Sequence, residues 1–179
     1  MSATGSGTPY LLVPTGDGRP QPSNLATDGP IIKYKQKGGE KTCMSLALAN
    51  ALHFLGEKQL AHGVFSRAKR CEKRAWGFRR FCSDLRDKHK HFNKITFPPP
   101  QTTNILDDLS QLQLVCILGS DGKQDHCVAF THEWIFDANF DRALPRSITS
   151  LNMCCSSIEV STKYVGAVSI AVFPKIITT

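Results

Sequence analysis

Residues 43–55 read CMSLALANALHFL. Leu46, Leu48, Leu52 and Leu55, with Ala47, Ala49 and Ala51 between them, leave no wide polar face. Helical spacing therefore predicts a largely buried helix, and Gly56 directly after it supplies the stop. The first residue of that helix is a cysteine. A thiol at a helix start sits where backbone N–H groups and the helix dipole favour the thiolate. The plainer reading of Cys43 is a small core residue, since free cysteines are commonly buried.

Upstream of the helix, IIKYKQ at 31–36 reads as a short strand leading into the same region, and residues 37–42 (KGGEKT) as a turn. Residues 1–29 are rich in Gly, Pro, Ser and Thr and read as a mobile tail or linker, which leaves 30–179 as one domain. Downstream, 57–92 looks helical in pieces, with Trp76, Phe78, Phe81 and Leu85 on its apolar side. Pro98, Pro99 and Pro100 stop that region. Asn104 is placed to cap a short helix, NILDDLSQL.

The C-terminal half changes character. LVCIL (114–118), HCVAF (126–130) and WIFD (134–137) read as buried strands, with a loop at 119–122 and a three-residue turn at 131–133. Ser147 is placed to cap a further helix ending near Cys154 and Cys155, and a last strand pair falls within 158–173. Helices first and strands afterwards give an α+β fold.

Two strand-end residues complete a set with Cys43. His126 opens its strand 83 residues after Cys43, and Asp137 closes the facing one. The short turn makes these strands an antiparallel pair and brings His126 and Asp137 together at one end of the sheet. There His126 is expected at the mouth of the sheet, within reach of solvent. A histidine can take the thiol proton, and a carboxylate can fix the imidazole tautomer. Asn139 is a second candidate for that orienting role. Gln36 is placed to help the Cys43 N–H stabilise an oxyanion, the alternative being a solvated strand-end side chain.

QKGGEKTCMSLALANAL (36–52) and DHCVAFTHEWIFDAN (125–139) resemble the papain-like cysteine peptidase superfamily, particularly small members such as bacteriocin-processing peptidase domains. The resemblance implies a papain-like fold whose central helix packs on a C-terminal antiparallel sheet. It implies Cys43 as nucleophile, His126 as base, Asp137 as orienter and Gln36 as oxyanion donor, acting on a protein or polypeptide substrate without a cofactor. In this chain the segment from Gln36 to Cys43 is slightly longer than the family pattern, and the His126–Asp137 hairpin is short.

Composition narrows the setting. The seven cysteines are an odd set, and MSATGSGTPYLLVPTGDG has no basic start and only a short apolar stretch. Reduced thiols in an intracellular protein, cytoplasmic or nuclear, are therefore expected, unless the chain is excised from a polyprotein. No apolar run is long enough to span a bilayer. Cys71, Cys82, His89 and His91 lack a tight paired spacing, so no metal site is expected.

The net charge of +7 is concentrated: residues 67–94 hold eleven Lys and Arg against Glu72, Asp84 and Asp87. That segment, with Trp76, Phe78, Phe81 and Phe92, offers phosphate contacts and stacking to a nucleic acid, or attraction to an acidic protein segment. The plainer reading is a solvated helix surface whose aromatics face the core. Three activities thus follow from the residues: a thiol peptidase, monomeric by default; an acyltransferase of transglutaminase-like type with the same Cys-His-Asp order; and a non-catalytic nucleic-acid-binding module.

Overall fold

The computed structural model describes residues 28–37, 42–68, 70, 77–97, 106, 112–118, 124–156 and 168–173. Most of the 1–29 tail and the 37–42 turn lie outside these residues. So do most of the expected 104–112 helix, the 119–122 loop, the IEV strand at 158–160, Cys71 and Trp76. The described chain is α+β. In order it runs α1 (Cys43–Phe54), α2 (Lys58–Ser66), α3 (Phe78–Lys88), a 3₁₀ turn (Lys90–Phe92), β1 (Gln113–Leu118), β2 (Gln124–Phe130), β3 (Trp134–Phe136), β4 (Leu144–Pro145), α4 (Ile148–Ser156) and β5 (Val168–Val172).

The strands form one antiparallel sheet in the order β4-β3-β2-β1-β5. Both faces of its centre are covered. Leu114, Cys116, Cys127, Ala129 and Phe136 pack in one core cluster with α1, α2 and α3. Val115, Ile117, Val128, Phe130 and Ile135 pack with Leu151, Cys154 and Cys155 of α4. Double coverage is why LVCIL and the CVAF stretch at 127–130 are apolar throughout instead of alternating. Each buried leucine or isoleucine in these clusters contributes on the order of 1.5–3 kcal/mol.

α1 is buried from Cys43 to Leu52, as its composition requires. Gly56 ends it at φ +88°, a left-handed conformation that a side chain would penalise. Gly56 N–H donates to His53 O (3.1 Å) and Glu57 N–H to Leu52 O (2.9 Å), the paired closure of a Schellman C-cap. In α3, Phe78, Phe81, Cys82 and Leu85 recur at i, i+3, i+4 and i+7 and are all buried, which turns the arginines and lysines outward. α4 is capped by Ser147, whose Oγ accepts from Ser150 N–H at 3.1 Å.

The expected strand at 31–36 does not form. Ile31 makes a single bridge to Arg142, and the ladder stops there. The reason is a side chain. Asn50 Oδ1 accepts from Lys33 N–H (2.9 Å) and Tyr34 N–H (2.8 Å), and Asn50 Nδ2 donates to Tyr34 O (2.8 Å) and Leu46 O (2.9 Å). The segment becomes a strap tied to α1 at its middle and to residues 138–143 along its length. Ile32 N–H donates to Asp141 O, Gln36 N–H to Ala138 O, and Lys35 pairs with Asp141. Its start is equally fixed: a Cβ on Gly29 would stand 1.9 Å from Ala143 O.

Candidate functional site

Three elements meet near the start of β2. α1 supplies Cys43 as its first residue, β2 supplies His126, and the chain leaving β3 supplies Asp137. The β2–β3 register pairs Ala129 with Phe136. Asp137 therefore falls opposite the Val128 level, two residues along the strand from His126 and on the same face. His126 Nε2 and Asp137 Oδ2 are 2.8 Å apart, with 2% and 0% of the two side chains exposed. The ring is oriented with Nε2 on Asp137, which leaves Nδ1 for Cys43.

The solvent-accessible position expected for His126 is not what is found. β2 begins at Gln124, paired with Leu118 across a register irregularity in β1, so His126 is the third strand residue and is enclosed. Asp137 is held from two further sides. Asn139 N–H donates to Oδ1 at 2.9 Å, and the Cys154 thiol of α4 bonds the same carboxylate. Asn139 thus serves Asp137 through its backbone, and Asp137 is the residue on the histidine. Gln36 reaches this neighbourhood through its N–H on Ala138 O (3.1 Å).

The electrostatics separate Cys43 from the other described cysteines. The Cys127 thiol hydrogen bond pulls the Cys43 thiol down and burial pushes it up. His126 pulls it down again through a hydrogen bond and its charge, for a net fall from 9.0 to about 5. Burial pushes the His126 imidazole down, but hydrogen bonds and charge from Asp137 and Cys43 outweigh it and carry it from 6.5 to about 10. Between those values the pair is a thiolate and an imidazolium. Its environment suits the thiolate: α1 has no acidic residue in its first turn, and Thr42 makes no side-chain cap.

Sequence reasoning missed Cys127 and Asn50. Cys127 reads as a core residue inside HCVAF, yet its thiol and its backbone N–H both bond the Cys43 sulfur. The available signal was alternation: the neighbour of His126 on a strand must face the opposite side, toward α1. For Asn50 the signal was a lone amide in an otherwise apolar helix, two turns from Cys43, which burial obliges to find partners.

In the basic segment, Phe78, Phe81 and Phe92 are 7%, 1% and 0% exposed, so they belong to the core and offer no stacking surface. Arg79, Arg86, Lys88, Lys90 and Lys94 are exposed, while Arg67 pairs with Asp84. No three His, Cys, Asp or Glu side chains among the described residues are grouped to hold a metal ion. No described helix is long and apolar enough to cross a membrane. No protein-family model, curated protein or solved structure matches this chain.

Proposed function

We propose that the protein is a cysteine peptidase of papain-like type, acting through Cys43, His126 and Asp137. The observation that carries this reading is the enclosed His126–Asp137 pair at 2.8 Å, with Cys43 bonded to the same ring from the start of α1. The Cys43 thiolate attacks the carbonyl carbon of a peptide or isopeptide bond. The oxyanion is met by N–H groups of the first turn of α1, which a helix leaves without intrahelical partners. Gln36 is the side-chain donor assigned to the same oxygen. His126 gives its proton to the leaving amine, and a thioester remains on Cys43. Water, deprotonated by His126, then attacks the thioester and releases the acid and the thiolate. Asp137 holds the ring and stabilises its charge throughout.

The test is incubation with a diverse peptide mixture, followed by mass-spectrometric mapping of new termini. Wild type is expected to generate them and Cys43→Ala to generate none; termini equally abundant with Cys43→Ala remove the proposal. An acyltransferase would share every step to the thioester. Clearance of a trapped acyl-enzyme by an added amine in preference to water would move the reading there. Among the described residues of the basic segment Phe78, Phe81 and Phe92 are buried, so a nucleic-acid reading rests there on phosphate contacts by the exposed lysines and arginines, which salt would screen.

A further inference from the structure

We infer that Cys43 and Cys127 form a paired modification site, in which a hydroperoxide oxidises Cys43 and Cys127 closes a reversible disulfide over it. The inference depends on the thiol geometry and not on the peptidase reading. Cys127 follows His126 on β2 and faces α1, where its thiol touches the Cys43 sulfur by a hydrogen bond. Cys43 is 8% exposed and Cys127 is 0% exposed, so an entering oxidant meets Cys43 first. The other thiols are placed differently. Cys116, on β1, is the register partner of Cys127 and also hydrogen-bonds its thiol, which makes it the competing partner; Cys82 neighbours Cys116, and Cys154 and Cys155 sit on the far face of the sheet.

The chemistry closes without a further reagent. The Cys43 thiolate attacks one oxygen of hydrogen peroxide and the O–O bond breaks. Sulfur is oxidised by two electrons to a sulfenic acid, and the departing hydroxide leaves as water with the His126 proton. The Cys127 sulfur then attacks the sulfenic sulfur. The S–O bond breaks, an S–S bond forms, and the second hydroxide leaves as water with the Cys127 proton. Loss of the Cys43 charge favours this second step, because that charge is one of the influences holding the Cys127 thiol protonated. A dithiol reductant restores both thiols. The disulfide caps the nucleophile and spares it from irreversible over-oxidation.

Trypsin separates the partners, since residues 42–58 and 124–142 each contain one cysteine, Cys43 and Cys127. The full chain is treated with a small molar excess of hydrogen peroxide, then with iodoacetamide, and mapped without reduction. The expected result is a 42–58/124–142 linked peptide, complete loss of Cys43 alkylation, and full recovery with dithiothreitol. In Cys127→Ala the link is expected to vanish and Cys43 to proceed to sulfinic acid that dithiothreitol does not recover, while Cys116→Ala keeps the link. The inference is overturned by wild-type Cys43 that stays alkylable after peroxide. It is equally overturned by Cys43 sulfinic acid beside a free Cys127, or by Cys43 linked to any other cysteine. None of these readouts requires peptide cleavage, so loss of the peptidase reading leaves them intact.

Discussion

The start of α1 and the middle of α3 each bury a cysteine against the same core, yet the two thiols are driven in opposite directions. Cys43 falls to about 5, while burial, assisted by Cys116, pushes Cys82 up to about 12. Enclosure is not what distinguishes them, because both are below 10% exposed. The difference is in the partners. Cys43 has hydrogen-bond donors in Cys127 and His126 and a cation held by Asp137. Cys82 has apolar neighbours, a second thiol and only a weak opposing influence from Arg86. A buried cysteine becomes a nucleophile by what is aimed at it.

The sharpest way to break this comparison is to remove the Cys43 sulfur. Under the proposed mechanism Cys43→Ala lowers turnover to background, a loss of at least about 1,000-fold. A companion measurement needs no substrate: iodoacetamide labelling at pH 6, read by peptide mapping. Cys43 is expected to react at least about 100-fold faster than Cys82, since the thiolate is the reacting form. Comparable labelling of the two would erase the distinction.

Next in size is His126→Ala, expected to cost about 100- to 10,000-fold in turnover as proton transfer is lost. It should also raise the pH at which Cys43 is alkylated. Asp137→Asn should cost less than His126→Ala, because the ring keeps its neighbour and loses only charge. Equal, negligible losses would move the proton-transfer role off this pair. The ion pair also predicts a stability profile. The folded chain holds one proton on the pair between about 5 and about 10, and the unfolded groups titrate at 9.0 and 6.5. The unfolded state binds one more proton between about pH 5 and 6.5, an equal number from 6.5 to 9, and one fewer up to about 10. The pair's contribution therefore rises with pH, stays level, and then falls. Chemical denaturation of wild type against the Cys43→Ala/His126→Ala double variant isolates it, and profiles of the same shape would refute the ion pair.

Much of the fold can be read from the chain because it depends on local pattern. The apolar stretch at 43–55, the stop at Gly56, the runs LVCIL, HCVAF and WIFD, and the Ser147 cap each carry their own signal. The order of Cys43, His126 and Asp137 carries the site. The rest is tertiary. Ile31–Gln36 has strand-like composition, but Asn50 takes its hydrogen bonds, and no short-range rule assigns a helix amide to a distant backbone. The enclosure of His126 depends on where β2 starts, which the polar Gln124 and Asp125 conceal. α4 is legible as a helix, but the face of the sheet it covers is not, and that face supplies the Cys154 contact to Asp137.

Asn50 provides the third test. Asn50→Ala leaves the N–H groups of Lys33 and Tyr34 and the Tyr34 carbonyl without their partner. A loss of about 1–3 kcal/mol is expected, measured by urea denaturation, since these part-buried groups lose their hydrogen-bond partner. The strap carrying Gln36 would loosen while Cys43, His126 and Asp137 stay in place. Selective alkylation of Cys43 should therefore persist, and its loss would show that the thiolate depends on the strap.

The smallest expected effect returns to the other cysteine. Cys82→Ala removes one buried sulfur from the apolar stripe of α3, and its cost is a transfer and cavity effect of about 1–2 kcal/mol. Nothing bonded to Cys43 is touched: Cys82 neighbours Cys116, and the donors to Cys43 are Cys127 and His126. Labelling of Cys43 at pH 6 should be unchanged within about twofold. A larger shift would mean that Cys82, Cys116, Cys127 and Cys43 behave as one coupled row, and that the charge on Cys43 is set across the whole core instead of by its immediate donors.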